Sequence, residues 1–129
     1  MPSAASLSGI VGEEDTAAGF GPSFPRAAST PFVLGLAEVA CHNAIAAELA
    51  PGEITVGTAA TIEHRSPSPV GATLTAHARL TERAGRRLRF EVDVFDGEEV
   101  CATVTHSRAV VLSDQIAARL AQRVSGDRP

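Results

Sequence analysis

The 129-residue chain is poor in aromatic residues, with five Phe, no Trp and no Tyr. A hydrophobic core must therefore be built mainly from Val, Leu, Ile and Ala. Apolar residues still make up 44% of the chain and charged residues 20%, which is typical of a globular protein. This length fits one domain that can bury a core. We interpret residues 1–129 as a single domain, with residues 1–19 and 125–129 as candidate flexible ends.

The sequence also has few cysteines and no excess of basic residues. Cys41 and Cys101 lack metal-site spacing and predict two reduced, buried thiols, with neither a metal nor a disulfide. A net charge of -4 argues against a nucleic-acid partner. No stretch approaches the roughly 20 apolar residues of a membrane span, and the N-terminus lacks a secretory signal pattern. We therefore expect a cytoplasmic protein with no membrane partner.

One long helix is predicted after residue 29. Thr30 suits the N-cap, Pro31 suits the first turn, and Pro51 with Gly52 ends the helix. At about 18 to 20 residues, it is Ala-rich on several faces. Its predicted apolar stripe comprises Phe32, Leu36, Val39, Ala40 and Ala47.

The remaining chain is dominated by period-two alternation, which predicts four long strands after the helix. Residues 3–11 predict one short strand before it, and residues 113–124 predict a short terminal helix. Asp96 and Gly97 form a strong hairpin signal. A long helix followed by consecutive strands indicates an α+β protein whose antiparallel sheet packs on the helix.

Three polar side chains occupy the apolar phase of their strands: His64, His106 and Arg108. An inward polar group needs a partner or a wet pocket. Because Arg108 cannot lose its charge, it must reach solvent or meet an anion. Glu38 has two interpretations: a solvated acid paired with His42 one turn on, or a carboxylate near this inward polar cluster.

Two further features leave alternatives open. The Thr30 hydroxyl can cap the helix, or it can act as a catalytic group where the positive helix end favours an anion. Phe20 and Phe24 lie in a Gly- and Pro-rich loop. They either pin that loop onto the core or form a lid over a pocket.

Five segments carry a family resemblance: STPFVLGLAEVAC (29–41), LAPGE (49–53), VGTAATIEH (56–64), GRRL (85–88) and THSRAVV (105–111). In order and spacing they resemble the fluoroacetyl-CoA thioesterase family of hotdog-fold proteins over roughly residues 20–112. The resemblance implies a hotdog fold, in which an antiparallel sheet wraps a long central helix and two chains form a homodimer.

The resemblance also implies a site. In that family a Thr, a Glu and a His carry thioester hydrolysis, and Thr30, Glu38 and His64 stand at the matching positions. Substrate-binding positions that match are Phe24, Gly57 and Arg108, to which we add the inward-facing His106. Pro31 departs from the family's Gly after this Thr, and the lid region matches poorly. Specificity for fluoroacetyl-CoA is therefore not implied.

We therefore expect a thioesterase that hydrolyses an acyl-CoA or an acyl-carrier-protein thioester without a metal, with coenzyme A entering only as part of the substrate. Glu38 would act as base toward water or attack the carbonyl directly, while His64 exchanges protons. Two alternatives stay open. One is an acyl-thioester hydratase or dehydratase, for which the helix offers only Glu38 and His42. The other is a non-catalytic binder of acyl-CoA or of a small hydrophobic metabolite.

Overall fold

The computed structural model describes residues 3–125 and contains one antiparallel sheet packed against a central helix. Its helices and strands are β1 (Ala4–Ile10), α1 (Thr30–Ile45), β2 (Glu53–His64), β3 (Thr73–Ala84), β4 (Arg87–Asp96), β5 (Glu99–Leu112) and α2 (Ser113–Val124). Short 3-10 turns cover Glu13–Asp15, Ala17–Phe20 and Ala46–Glu48. The predicted α+β architecture is confirmed, including the first short strand and the terminal helix.

The strand order β1-β3-β4-β5-β2 leaves β1 and β2 at the two edges of the sheet. β2 pairs with β5 over nearly its whole length rather than with β3, its successor in the chain. Residues 4–10, which we expected in a flexible end, pair with β3 as β1. Residues 1–2 and 126–129, also in the expected flexible ends, lie outside the described residues.

The alternation in β3 and β4 predicted their buried faces correctly. All four apolar residues of this face of β4 are buried in the same hydrophobic core as α1: Leu88, Phe90, Val92 and Val94. The predicted stripe of α1 is only partly right: Ala40 is buried and Phe32 and Leu36 pack against the core, whereas Val39 is 49% exposed. The residues of α1 that are buried are Val33, Ala37, Ala40, Cys41 and Ile45. A helix that is apolar on several faces fits more than one stripe, so contact with the sheet decides which face is buried.

β2 contains a β-bulge between Gly57 and Ala59, which the alternation did not predict. Gly57 is paired with Arg108, and Ala60 with His106. Directly paired residues share a face of the sheet, so Gly57 before the bulge and Ala60 after it lie on the same face as Arg108 and His106. The face that carries odd-numbered residues before the bulge thus carries even-numbered residues after it. The single even phase predicted for all of β2 is therefore wrong before the bulge, where the odd residue Thr55 is buried.

The helical stretch Thr30–Glu48 is long and apolar enough to cross a membrane by length and composition alone, with 19 residues and a mean hydropathy of 1.2. The expectation that no stretch reaches this limit is wrong on that criterion. A core helix of a soluble protein meets the same criterion. Here α1 packs against β1 and β3, and 28% of the apolar stretch is buried.

Candidate active site

At the start of α1, the residue that caps the helix is Ser29 and not the predicted Thr30. Ser29 is the N-cap, and its Oγ accepts a hydrogen bond from the Phe32 N–H at 3.2 Å. Thr30 is the first helical residue, so its predicted role as N-cap is wrong. Pro31 has no N–H and the Phe32 N–H is bonded, which leaves only the N–H of Thr30 in this first turn.

The Thr30 hydroxyl instead contacts His64 at the far end of β2. Thr30 Oγ1 lies 2.8 Å from His64 Nδ1. The other ring nitrogen, His64 Nε2, is buried and has no hydrogen-bond partner among residues 3–125. A cavity of about 300 Å³ adjoins the pair and is also lined by Pro25, Arg65 and Pro67. A hydroxyl, an imidazole and a cavity thus meet at the helix N-terminus.

Glu38 belongs to a second cluster, two turns further along α1. Its Oε2 lies 3.5 Å from Arg108 Nη1. A Cβ atom at Gly57 would lie only 2.5 Å from the same oxygen, so glycine is what lets β2 pass this close to the carboxylate. No hydrogen bond or ion pair joins Glu38 to His42 in the described part of the chain. The interpretation of Glu38 as part of the inward polar cluster is confirmed.

His106 lies beneath this cluster and is 2% exposed. Its Nδ1 is 2.8 Å from the carbonyl oxygen of Ala59, which can only accept, so Nδ1 carries the proton. Nε2 therefore accepts from Arg108 Nη1 at 3.0 Å. Burial lowers the pKa of His106 below its ordinary 6.5, and the Arg108 guanidinium lowers it further. The ring is neutral, so its 3.5 Å approach to Glu38 is not an ion pair.

Arg108 is fixed by residues that sequence reasoning missed. Its Nε donates to Thr55 Oγ1 at 2.8 Å, and its Nη2 donates to the Thr55 main-chain oxygen at 2.9 Å. Thr55 Oγ1 also lies 2.7 Å from His42 Nδ1. A continuous β2 alternation put Thr55 on the polar face, and only the bulge would have revealed its inward position.

Both cysteines are free and buried, as predicted. Burial raises the pKa of the Cys41 thiol from 9.0 to about 12, although the nearby Arg108 acts in the opposite direction. Burial likewise raises the pKa of Cys101. Within residues 3–125, no group of three or more His, Cys, Asp or Glu side chains is arranged to hold a metal ion.

Comparison with known proteins identifies the family. Residues 11–114 match the family model described as fluoroacetyl-CoA-specific thioesterase. The chain belongs to this family. The sequence is 39% identical over 100 residues to the fluoroacetyl-CoA thioesterase of Streptantibioticus cattleyicolor, a match that covers 78% of this chain and 72% of the relative.

Solved structures place this thioesterase-family chain in the hotdog fold. A variant of the fluoroacetyl-CoA-specific thioesterase FlK, crystallised with fluoroacetate and CoA, superposes with a TM-score of 0.85 and 33% identity over 92% of this chain and 97% of that one. A hot-dog-like protein from Thermanaerovibrio acidaminovorans superposes with a TM-score of 0.84 at 20% identity, over 95% and 90% of the chains. The predicted family and fold are both confirmed.

The structure brings the predicted residues of this thioesterase-family chain together in two groups rather than one. Thr30 and His64 form the first group, and Glu38, Gly57 and the Arg108–His106 pair form the second. Gly57 and His64 are about 20 Å apart along β2, where the bulge takes up one of the seven residues between them. Thr30 and Glu38 are eight residues, about 12 Å, apart along α1. Within one copy, no hydrogen bond or ion pair among residues 3–125 joins Glu38 to Thr30 or His64.

The predicted substrate contacts Phe24 and His106 differ in their surroundings. Phe24 is 53% exposed and Phe20 is 68% exposed, so a single copy does not use them to pin the loop onto its core. His106 has both ring nitrogens engaged inside the protein. Its role as a substrate contact stays a prediction, whereas its described contacts orient Arg108.

Proposed function

We propose that this member of the thioesterase family hydrolyses an acyl-CoA thioester at a site built by two copies of the chain. Thr30 and His64 come from one copy, and Glu38 comes from the other. The observation that carries this proposal is that Thr30 bonds His64 while Glu38 faces Arg108, with no hydrogen bond or ion pair joining the two groups among residues 3–125. Both groups nevertheless face the helix side of the sheet, because His64 pairs with Ala102 and Gly57 with Arg108 on the same face of β5.

The free edge of β2 supports a homodimer. Residues 57–61 are exposed, and no charged residue occurs between Ile54 and Ile62. β2 has a neighbour on one side only. Native proteins usually protect such an edge with charges, proline or a covering segment, and pairing with a second copy removes the need for that protection.

Antiparallel pairing of two β2 edges about a two-fold axis near Ala60 would complete the site. His64 of one copy would then lie beside residues 55–57 of the other, within a residue or two of Gly57. Side chains directly opposite each other in an antiparallel pair share a face. The imidazole would therefore point to the same side as Glu38 of the second copy.

The chemistry follows from the groups so assembled. Either Glu38 takes a proton from water while the water oxygen attacks the thioester carbonyl, or the carboxylate attacks the carbonyl itself and water then hydrolyses the acyl anhydride formed. In both routes the C–S bond breaks and His64 protonates the departing thiolate, and His64 regains its proton from the one that water released. The products are a carboxylic acid and free CoA. Thr30 and the positive end of α1 stabilise the negative charge that develops on the carbonyl oxygen. The guanidinium of Arg108 lies 3.5 Å from the Glu38 carboxylate, and the mechanism uses no metal ion.

The pocket and the location complete the proposal. Gly57 lets β2 pass close to the Glu38 carboxylate, and exposed Phe24 covers the acyl group as part of a lid. Coenzyme A takes part only as the carrier of the substrate. A protein that acts on CoA thioesters fits the cytoplasm, where these metabolites are made.

Turnover of acyl-CoA is the direct test. The purified protein is incubated with short- and medium-chain acyl-CoAs, and the release of free thiol is measured. We expect hydrolysis by the wild type, and a loss in Glu38→Gln on the order of 100-fold or more. Glu82→Gln, which changes an exposed acid on β3, is the matched control and should behave as wild type. Wild-type activity that survives in Glu38→Gln would rule out this role for Glu38.

Mixing two inactive variants tests whether the site is shared. Glu38→Gln and His64→Ala chains are mixed, unfolded and refolded together. A mixed dimer would contain one site with both changes and one site with neither, so about one quarter of the wild-type activity should return. A site contained within a single copy predicts no recovery.

Product analysis addresses the alternatives. A hydratase would add water and keep the thioester, which raises the product mass without releasing thiol. A non-catalytic binder would show saturable binding without turnover. Membership of a thioesterase family favours neither alternative.

A further inference from the structure

We propose that Thr55 and His42 are positioning residues for the hydrolytic reaction, because together they hold the Arg108 guanidinium against Glu38. This inference rests on the proposed function, since it assigns Glu38 to the reaction. It extends that function to two residues that sequence reasoning did not place in the site.

Thr55 holds Arg108 through two of its oxygen atoms. Arg108 Nε donates to the side-chain oxygen at 2.8 Å, and Nη2 donates to the main-chain oxygen at 2.9 Å. Two bonds from one edge of a planar guanidinium fix its orientation as well as its distance. The remaining nitrogen, Nη1, is thereby directed toward His106 and Glu38. The position of this charge beside the carboxylate is therefore determined by Thr55.

The direction of the next hydrogen bond follows from the chemistry of the donors. Arginine has no acceptor, so Thr55 Oγ1 must accept from Arg108 Nε. The Thr55 hydroxyl still has one proton to donate, and His42 Nδ1 lies 2.7 Å away. If His42 donated instead, the buried hydroxyl proton would have no acceptor among residues 3–125. His42 Nδ1 is thus the acceptor that orients Thr55.

The network connects the two elements that carry the reacting groups. His42 lies one helical turn after Glu38 on α1, and Thr55 lies two residues before Gly57 on β2. Thr55 is buried, and the Arg108 side chain is only 10% exposed. A buried guanidinium that loses its partner must move or stay unpaired, and either change moves its charge relative to Glu38. Misplacement of a catalytic group by about 1 Å costs on the order of 100-fold in rate.

Variants of Thr55 provide the test. Thr55→Val keeps the shape and removes the hydroxyl, whereas Thr55→Ser keeps the hydroxyl. We expect kcat of Thr55→Val to fall by about 10- to 100-fold with KM within about two-fold of wild type. Thr55→Ser should stay within about three-fold of wild type. Thr103→Val, on the other face of β5, is the matched control and should leave kcat unchanged.

His42 supplies a second pair of variants, should Thr55→Val fail to fold. His42→Gln retains an acceptor for the Thr55 hydroxyl, and His42→Leu does not. We expect kcat to fall on the order of 10-fold in His42→Leu and to be largely retained in His42→Gln. A crystal structure of Thr55→Val or His42→Leu should show the guanidinium displaced from Glu38.

The outcomes separate this inference from the proposed function. If the wild type hydrolyses no acyl-CoA, the proposed function fails. If the wild type is active and both Thr55→Val and His42→Leu keep its kcat, only the positioning role is overturned. A loss of kcat that the Ser and Gln variants do not restore would also overturn it, because that pattern indicates general damage to the fold.

Discussion

His64 bonds to Thr30 through only one of its two ring nitrogens. Nδ1 lies 2.8 Å from Thr30 Oγ1, while Nε2 is buried and has no partner in the described part of the chain. A neutral imidazole has one N–H and one lone pair, so a group that bonds Nε2 decides whether Thr30 donates or accepts. This free nitrogen suits a residue proposed to transfer a proton.

Thr30 should therefore matter for activity more than for the stability of α1. We expect Thr30→Val to lower kcat/KM about 10- to 100-fold, and Thr30→Ser to retain most of it, because serine keeps the hydroxyl. The free energy of unfolding, measured with urea, should change by less than about 0.5 kcal/mol in Thr30→Val. Ser29→Ala should cost about 1 kcal/mol, because Ser29 is the cap. A larger loss of stability in Thr30→Val than in Ser29→Ala would reverse this assignment.

A side chain at Gly57 should displace the Glu38 carboxylate. Its Cβ would lie 2.5 Å from Glu38 Oε2 and 3.2 Å from His106 Cε1, so Gly57→Ala must displace the carboxylate. We expect a loss of kcat/KM on the order of 100-fold in a thiol-release assay. Gly35→Ala on α1 is the control, because nothing lies within 4 Å of its Cβ. That change should stabilise the protein by up to about 1 kcal/mol. Full activity in Gly57→Ala would contradict the crowding seen here.

Protein stability should depend on pH through His106. Burial lowers the pKa of His106 in the folded state, whereas the unfolded chain takes up the proton near the ordinary value of 6.5. The unfolded state therefore binds more protons between these two values, and the free energy of unfolding falls as pH drops below 6.5. The slope is at most about 1.4 kcal/mol per pH unit for one such group. Urea denaturation from pH 7.5 to 5 should show a smaller slope in His106→Gln. An identical slope in both proteins would disprove the contribution of His106.

The two thiols should resist modification in the folded protein. Burial raises the pKa of Cys41 to about 12 and also raises that of Cys101, so little thiolate exists at pH 8. We expect a disulfide reagent such as DTNB to react slowly with the native protein and with two thiols per chain in denaturant. Rapid native labelling that disappears in Cys41→Ser would show that this site opens. Slow labelling also means that the protein adds little background to a thiol-release assay.

Much of the fold could be predicted from local patterns. The alternation of Leu88, Phe90, Val92 and Val94 predicted the buried face of β4 because a strand has a strict period of two. The helix was also predicted, but its buried face was predicted only in part. Small and apolar residues occur on several faces of α1. Packing against β1 and β3 therefore decides that Val33 is buried and Val39 is exposed.

The candidate site was likewise predicted only in part from local patterns. The motifs predicted Thr30, Glu38 and His64 as site residues, and their resemblance to a thioesterase family is confirmed by comparison. No local pattern revealed that His42 and Thr55 join Arg108, because these three residues come from α1, β2 and β5. Their contact depends on the bulge after Gly57, which shifts the phase of the strand.

The sequence by itself determined the family, the order of helices and strands, and the chemical groups that can take part in hydrolysis. It could do so because composition, periodicity and motif spacing are properties of neighbouring residues. Only the tertiary structure decided that Ser29 caps α1, that Thr30 is free to bond His64, and that Glu38 faces Arg108 instead of His42. Those outcomes depend on which strands pair and in which register, and a one-residue bulge is enough to change them.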